Sequence, residues 1–269
     1  MTHEGSQDIV AELRRTAKYR DLCEDTLIRI ASWAEARYPA PKEAIKAAKR
    51  KLHQVHGAYL DRAHLDQIRR LVESLPQETS KRALRDACLP ILRCHASTRE
   101  RIGILEDAFP KLLDRIRPVE VILDLACGLM PFALPWMALS PNVRYVPVDI
   151  NQGLTGLVNL FFQRIGHPQT AACRDILVSP PDIQTDAVFL LKTLPCLEQQ
   201  EKGSALRLLR KLRTRCALIS FPTRSLCGRG KGMPHHYGAF MAGLIRELGV
   251  LAERFAYPTE IFYFLHFES

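Results

Sequence analysis

Residues 119–131, VEVILDLACGLMP, constrain the fold more than any other part of this 269-residue chain. The consecutive apolar residues predict a buried parallel strand, Gly128 predicts a tight turn, and Pro131 suits the first turn of a helix. Free N–H groups at the start of such a helix can bind a polar ligand. The stretch therefore predicts a cofactor site, although a turn with one glycine also fits a purely structural role.

The chain after residue 118 alternates strand and helix patterns, which is typical of a doubly wound α/β sheet. Strands are predicted at residues 119–125, 143–148, 169–173, 187–191, 217–221 and 261–267, with helices at about 132–139, 152–165, 199–212 and 236–249. The chain enters the last strand through Pro258, a link that is too short for a parallel crossover. We therefore expect an antiparallel hairpin at one edge of the sheet.

Before residue 118 the sequence predicts successive helices separated by prolines. We expect two domains, a helical domain of residues 1–95 and a sheet domain of residues 96–269. A helix predicted at residues 42–59 carries a basic face formed by Lys42, Lys46, Lys49 and Arg50, with Lys51 adjacent. A solvated surface would explain this pattern, but like charges at helical spacing repel, so an anionic partner explains it better.

Composition narrows the class of protein. The net charge is +9, and residues 1–117 carry 23 Lys and Arg against 17 Asp and Glu, so the excess lies mainly in the helical part. The eight cysteines are scattered without a C-x-x-C pair, which favours buried thiols over disulfides or a metal site. No run approaches the roughly 20 apolar residues of a membrane span. We therefore expect a cytoplasmic protein with a polyanionic partner.

Two aspartates point to the nature of the cofactor. Asp149 ends the second predicted strand, 21 residues after Gly128, where a carboxylate meets the ribose of an adenosine cofactor. The turn lacks the second and third glycines that admit a pyrophosphate, so S-adenosylmethionine fits better than NAD. Asp175 follows the third strand and could accept a hydrogen bond from an adenine amino group or cap a helix; both interpretations remain open.

Further candidates lie at the end of the fourth strand and in the loop after the fifth. We predict that Lys192 lies next to the methyl donor and pairs with an anionic group. Cys196 offers a rival mechanism in which its thiolate activates a pyrimidine for C5 methylation, although a small buried residue is the simpler interpretation. The glycine-rich loop of residues 220–237 suits a phosphate backbone or an ordinary solvated loop. Its candidate RNA-binding residues are Arg224, Arg229, Lys231 and Met233, with Tyr237 also able to pack on a base.

The segment at residues 97–100 reads as a capping box, in which Ser97 and Glu100 satisfy backbone donors at a helix start. Arg99 and Arg101 have no part in that capping. A positive charge in the first turn of a helix opposes its dipole, so both arginines are candidates to bind an anionic ligand.

Several motifs together resemble one known family. They are HASTRER at 95–101, DLACGLMP at 124–131, PWM at 135–137, LLKTLPCLE at 190–198, and FPTRSL at 221–226 with KGM at 231–233. With them nearly the whole chain is similar to the aminoglycoside-resistance 16S rRNA (guanine(1405)-N(7))-methyltransferases. One departure is Met130, where many members have Asn, so a polar contact from this position is not expected.

The resemblance implies a Rossmann-like class I S-adenosylmethionine methyltransferase sheet with an N-terminal all-helical domain, acting as a monomer on 16S rRNA within the small ribosomal subunit. Arg101 would hold the methionine carboxylate, Asp149 the ribose, Asp175 the adenine, and Lys192 the region of the donor methyl. The remaining implied cofactor contacts are Ala126, Gly128, Ile150, Ile176 and Leu191. The implied RNA-binding residues are Lys18, Lys42, Lys46, Lys49, Arg50, Lys51, Arg224, Arg229, Lys231 and Met233.

Methylation of guanine N7 needs no general base, because N7 carries an in-plane lone pair and no proton. Catalysis would come from positioning, and the deep, narrow groove of A-form RNA requires the target guanine to be flipped or unstacked. Two alternatives stay open: a cytosine-C5 RNA methyltransferase that uses Cys196, and a non-catalytic rRNA-binding protein.

Overall fold

The computed structural model describes residues 3–56, 62–75, 80–223 and 233–267. The α-helices in these ranges are α1 (His3–Arg15), α2 (Glu24–Glu35), α3 (Pro41–His56), α4 (Arg62–Glu73), α5 (Lys81–Arg93), α6 (Ala96–Arg101), α7 (Leu105–Asp114), α8 (Leu134–Met137), α9 (Gln152–Arg164), α10 (Leu194–Gln200), α11 (Ser204–Lys211) and α12 (Met233–Leu248). The strands are β1 (Val121–Leu125), β2 (Arg144–Asp149), β3 (Ala172–Cys173), β4 (Gln184–Leu191), β5 (Arg213–Pro222), β6 (Leu251–Ala256) and β7 (Glu260–His266).

The strands form one sheet in the order β3-β2-β1-β4-β5-β7-β6. β1 to β5 run parallel, whereas β7 is antiparallel to both β5 and β6. The predicted doubly wound sheet and its antiparallel edge hairpin are confirmed. The strand order reverses between β1 and β4, and open α/β sheets bind ligands in the crevice at such a point, beyond the carboxyl ends of the strands.

Buried apolar side chains explain why the layers stack as they do. One face of the sheet packs on α4, α5, α7 and α9 through residues such as Val72, Phe109 and Phe161. The other face packs on α11 and α12 through Leu208 and Met241. A separate core between α1, α2 and α3 comprises Ile9, Leu13, Tyr19, Leu22, Leu27, Ile30, Ala31, Ala34, Ala44, Ala48 and Leu52. The helical region thus has a core of its own, while α4 and α5 contribute to the core of the sheet.

The segment before α2 joins this helical core to the sheet. Leu22 forms an antiparallel bridge with Asn151, directly after β2. On either side, the Cys23 N–H donates to the Ile150 carbonyl at 2.7 Å and the Gln152 N–H donates to the Asp21 carbonyl at 2.6 Å. The N-terminal helices are therefore fixed at the carboxyl end of β2, next to the predicted cofactor crevice.

Several predicted elements differ from the structure. The helix predicted at 199–212 is divided between the end of α10 and α11, and only Ala172–Cys173 of the strand predicted at 169–173 form β3. The helix predicted at 132–139 is a 3₁₀ turn, Met130–Ala133, followed by the short α8, which ends because Ala138 adopts a left-handed φ of 48°. The helix predicted from Ser97 starts one residue earlier and is interrupted by the 3₁₀ turn Ile102–Ile104. Within the described ranges, no helix has both the length and the apolar character that a membrane crossing requires.

Candidate active site

The turn after β1 forms the floor of the crevice. Ala126 and Gly128 both have left-handed backbones, with φ of 54° and 51°. Such a conformation is unfavourable for alanine and is typical of functional turns. The Gly128 N–H donates to Asp149 Oδ2 at 3.0 Å, and the Asn151 N–H donates to Asp149 Oδ1 at 3.0 Å. Asp149 therefore connects the ends of β1 and β2, and burial raises the pKa of its carboxyl against the effect of these N–H bonds.

A second carboxylate, Asp124, lies beneath this turn. It is buried and accepts a hydrogen bond from the Tyr145 hydroxyl. Burial raises the pKa of Asp124 to about 7, while the Tyr145 hydroxyl and the positive charge of Arg101 act in the opposite direction. The carboxyl group of the DLACG motif therefore has a structural role beneath the turn.

Arg101 forms a buried ion pair with Glu260 at the start of β7. The Arg101 side chain is 2% exposed and that of Glu260 is fully buried. Arg101 Nε donates to Glu260 Oε2 at 2.9 Å and Nη2 donates to Oε1 at 2.6 Å, which is the bidentate geometry of a strong pair. The Ser220 hydroxyl also donates to Glu260, and Arg101 Nη1 lies 3.1 Å from the Met130 sulfur.

Lys192 completes this charge cluster from the end of β4. Its left-handed φ of 61° turns the chain at the crevice, and its N–H donates to the Ser220 carbonyl at 3.0 Å. Lys192 Nζ donates to Glu100 Oε2 at 2.6 Å and lies 3.6 Å from Glu260 Oε2. The predicted capping box is wrong, because His95 is the N-cap of α6 and the Glu100 carboxylate binds Lys192 instead.

The charge cluster of Glu100, Arg101, Lys192 and Glu260 combines two cations with two carboxylates. Cationic N–H groups can bind a carboxylate and carboxylate oxygens can bind an ammonium group, as an amino-acid moiety requires. The more accessible members of the cluster are Glu100, which is 33% exposed, and Lys192, which is 10% exposed. The cluster lies at the carboxyl ends of β4 and β5, on the other side of the switch point from Asp149. The cluster and Asp149 therefore line one polar crevice, whose groups suit a ligand with an amino-acid part and sugar hydroxyls.

Asp175 connects the sheet to the helical region. Its Oδ2 accepts hydrogen bonds from the Thr26 hydroxyl and from Arg29 Nε, both at 2.9 Å, while Oδ1 accepts the Leu177 N–H at 2.9 Å. Arg29 also donates to the Gln200 side chain at 2.8 Å. The adenine role predicted for Asp175 stays a prediction, and the structure adds an interdomain role that sequence reasoning missed.

The apolar candidates surround these polar groups. Ile176 and Leu191 are buried in the two cores of the sheet, and Ile150 packs against the core of the helical region. Cys196, the candidate nucleophile of the rival mechanism, is half-buried, and its thiol lies 3.8 Å from the Lys192 carbonyl.

Only part of the predicted basic face of α3 is exposed, and the remaining basic residues contact other parts of the protein. Lys42, Lys46 and Arg50 are exposed. Lys49 Nζ pairs with Glu12 Oε1 at 2.8 Å, so its charge is partly compensated. Lys51 Nζ lies 4.1 Å from the centre of the Trp33 ring and donates to the Gln200 carbonyl at 2.8 Å.

The other predicted RNA-binding residues have mixed outcomes. Lys18 is exposed, with Nζ 2.9 Å from His53 Nδ1. Arg224, Arg229 and Lys231 lie outside the described residues, and Met233 is described only as the first residue of α12. The Tyr237 ring stacks on Phe221 with 4.7 Å between ring centres, so one of its faces is already covered.

Sequence reasoning missed Glu260 as a functional residue. The signal was present, because Glu260 is a carboxylate directly before the apolar run IFYFL, and a charge at a buried strand end needs a partner. Its partners Arg101 and Lys192 are distant in sequence, so only the fold identifies them.

Comparison with known proteins places the chain among rRNA-modifying enzymes. The family model described as "Ribosomal RNA methyltransferase (FmrO)" matches residues 15–264. A protein of Micromonospora echinospora named "16S rRNA (guanine(1405)-N(7))-methyltransferase" is 33% identical over 275 residues, covering 98% of each chain. A protein of Serratia marcescens with the same name is 33% identical and covers 96% of this chain and 97% of its own.

Solved structures agree with these relatives. The 16S rRNA methyltransferase RmtF in complex with S-adenosyl-L-homocysteine superposes with a TM-score of 0.84 at 32% identity, covering 99% of both chains. The 16S rRNA methylase RmtB gives a TM-score of 0.82 at 28% identity over 98% of both chains. The similarity therefore includes the helical region as well as the sheet.

Proposed function

The chain belongs to the FmrO family of ribosomal RNA methyltransferases, and we propose that it transfers a methyl group from S-adenosylmethionine to N7 of a decoding-site guanine in 16S rRNA. The observation that carries this proposal is the charge cluster beside the Gly128–Asp149 turn, in a chain 33% identical over its length to named guanine-N7 methyltransferases. This modification confers aminoglycoside resistance. Both relatives are named as guanine-N7 methyltransferases, which favours this function over the cytosine-C5 and the non-catalytic alternatives.

We propose the following cofactor contacts, which the position of these residues around the crevice supports. Arg101 binds the methionine carboxylate and Lys192 lies next to the donor methyl, with Glu260 holding both cations in place. Asp149 binds the ribose hydroxyls from the carboxyl end of β2. Asp175 accepts from the adenine amino group through the remaining lone pair of Oδ1. The other contacts proposed for the cofactor are Ala126, Gly128, Ile150, Ile176 and Leu191.

The chemical step needs positioning and no proton transfer from the attacking atom. S-adenosylmethionine supplies an electrophilic methyl group, and guanine N7 attacks with its in-plane lone pair. The protein has to hold N7 in line with that group at an attack distance of about 3–3.5 Å. Lys192 acts as a positioning residue, because its left-handed backbone and its bonds to Glu100 and Ser220 fix it at the crevice.

The substrate is proposed to bind as a folded small ribosomal subunit. We assign residues 1–95 to rRNA docking and residues 96–269 to methyl transfer, with Lys42, Lys46 and Arg50 as the exposed part of the docking face. The target guanine leaves its stack to reach the crevice, since the A-form groove hides N7. We propose that one monomer acts on each subunit, and a ribosomal substrate implies activity in the cytoplasm.

The experiment that tests this function is methylation of purified small subunits, followed by borohydride reduction and aniline cleavage of the rRNA. A single break at the decoding-site guanine is expected, because N7 methylation makes the glycosidic bond labile to this treatment. Asp149→Ala should remove the break while leaving the protein folded by circular dichroism. A wild-type reaction that transfers label to the rRNA without a break at that guanine would reject the assignment.

A further inference from the structure

Two cysteines from distant parts of the chain meet at one backbone carbonyl. The Cys23 N–H donates to the Ile150 carbonyl at 2.7 Å, and the Cys173 thiol donates to the same carbonyl at 3.5 Å. The two thiols are close enough for each to change the acidity of the other. Both residues are half-buried, so a small solute can reach them.

The backbone holds the two thiols in this position. Leu22 bridges to Asn151, and Cys173 is the register partner of Asp149 in the β2–β3 pair. The residues next to Ile150 on both sides are therefore tied to the two cysteine segments. Both segments are parts of regular structure, because Cys23 is the N-cap of α2 and Cys173 ends β3.

The two thiols differ in acidity, and this suits a reaction between them. The neighbouring Cys173 thiol lowers the pKa of Cys23 to about 7, with a smaller contribution from Thr26, whose hydroxyl lies 3.1 Å from the sulfur. The same contact raises the pKa of the Cys173 thiol. Cys23 is thus the thiolate nucleophile and Cys173 the neighbouring thiol that can resolve an oxidised intermediate.

We propose that Cys23 and Cys173 form a redox-active dithiol that peroxides oxidise to a reversible disulfide, linking α2 of the helical region to β3 of the sheet. The Cys23 thiolate attacks one oxygen of hydrogen peroxide, so an S–O bond forms, the O–O bond breaks, and hydroxide leaves and is protonated to water. The Cys173 sulfur then attacks the Cys23 sulfur, and the S–O bond breaks. The released hydroxyl takes the Cys173 proton, giving a second water.

Other cysteines in the described residues are poorer candidates. Cys88 and Cys216 are buried, and burial raises the pKa of each thiol to about 12. Burial also raises the pKa of the half-buried Cys94. Thiolate character therefore favours the Cys23–Cys173 pair over these three cysteines, and access favours it over Cys88 and Cys216.

The disulfide would close a loop of about 150 residues between the two regions. Constraining the unfolded chain in this way stabilises the folded state, and a cytoplasmic bond of this kind is expected to be transient and reducible. The proposal does not depend on the rRNA methyltransferase function, since it concerns only these two thiols and an oxidant.

The test is peptide mapping of the full-length chain after mild hydrogen peroxide treatment and blocking of free thiols. Trypsin releases Cys23 in peptide 21–29 and Cys173 in peptide 165–174, and neither contains another cysteine. We expect these two peptides to be joined by a bond that dithiothreitol cleaves, with the oxidised protein monomeric and melting several degrees higher. Free thiols in both peptides, or their pairing with other cysteines, would overturn the proposal.

Variants make the test specific. Cys23→Ser and Cys173→Ser should each abolish both the joined peptide and the redox-dependent shift in melting temperature, whereas Cys94→Ser should retain both. The wild-type peptide map needs no variant, so the proposal remains testable if either serine variant folds poorly.

Discussion

Glu260 determines how two cations are arranged in the crevice, because it binds Arg101 through two hydrogen bonds and lies 3.6 Å from Lys192 Nζ. Removing one partner of a buried ion pair leaves an uncompensated charge, which costs about 3–5 kcal/mol. We expect Glu260→Ala to lower the free energy of unfolding by this amount in urea denaturation.

A matched control for Glu260 lies on the adjacent edge strand. Glu253 also pairs with two basic side chains, Arg115 and His266, but all three are substantially exposed. Exposed pairs contribute about 0–1 kcal/mol, so Glu253→Ala should have a small effect. Similar losses for the two variants would show that burial does not determine the contribution of Glu260.

Asp124 should make stability depend on pH. Burial raises its folded-state pKa to about 7, whereas an unfolded aspartate has a pKa of about 3.9. Between about pH 4 and 7 the folded state therefore keeps a proton that the unfolded state releases, so this group's contribution to stability falls as pH rises, by at most about 1.4 kcal/mol per unit.

Asp124→Asn should remove that contribution. As pH rises from about 4.5 to 6.5, the free energy of unfolding of the wild type should fall relative to that of Asp124→Asn. Urea denaturation at several pH values measures it. A difference that is constant over this range would show that Asp124 titrates at an ordinary pKa.

At the scale of elements, local sequence signals located the strands, the glycine turn and the edge hairpin, because apolar periodicity and link length are properties of neighbouring residues. They failed where a distant residue competes. Glu100 has the spacing of a capping residue, yet Lys192 from β4 binds its carboxylate at 2.6 Å. The sequence predicts Asp175 as a carboxylate at the end of a strand, but its hydrogen bonds to Thr26 and Arg29 depend on how the helical region packs.

The basic face of α3 predicts different outcomes for two lysines of the same helix. Lys46 is exposed, so Lys46→Glu should weaken binding to the small subunit. The salt dependence of that binding should fall by the equivalent of about one phosphate contact. The stability of the protein and its affinity for S-adenosylhomocysteine should not change. Lys49 pairs with Glu12, so Lys49→Glu places two carboxylates together and should also reduce stability.

Filter binding at several salt concentrations and thermal melts separate these effects. Arg254→Glu is the matched control, because Arg254 is exposed on β6, at the opposite edge of the sheet from β3. If Arg254→Glu weakens subunit binding as much as Lys46→Glu does, net charge accounts for docking and the α3 face has no special role.

At the scale of the whole molecule, the proposed docking region and the proposed cofactor site share one junction. Arg29 of α2 binds Asp175 after β3 and Gln200 at the end of α10. Leu22 and Cys23 pair with the backbone that follows Asp149. The helical region is therefore in direct contact with the edge of the sheet that is proposed to hold adenine and ribose.

This arrangement predicts that Arg29→Ala weakens cofactor binding even though Arg29 is not itself a proposed cofactor contact. Asp175 is 2% exposed, and without the guanidinium it keeps the Thr26 hydroxyl and the Leu177 N–H, so its carboxylate is less well fixed. We expect calorimetry to give an S-adenosylhomocysteine affinity about tenfold lower, equivalent to about 1.4 kcal/mol. Arg14→Ala, which breaks an exposed pair with Glu24 in the same region, should leave the affinity unchanged. Equal affinities for a folded Arg29→Ala variant and wild type would mean that the junction holds the helices without supporting the cofactor edge.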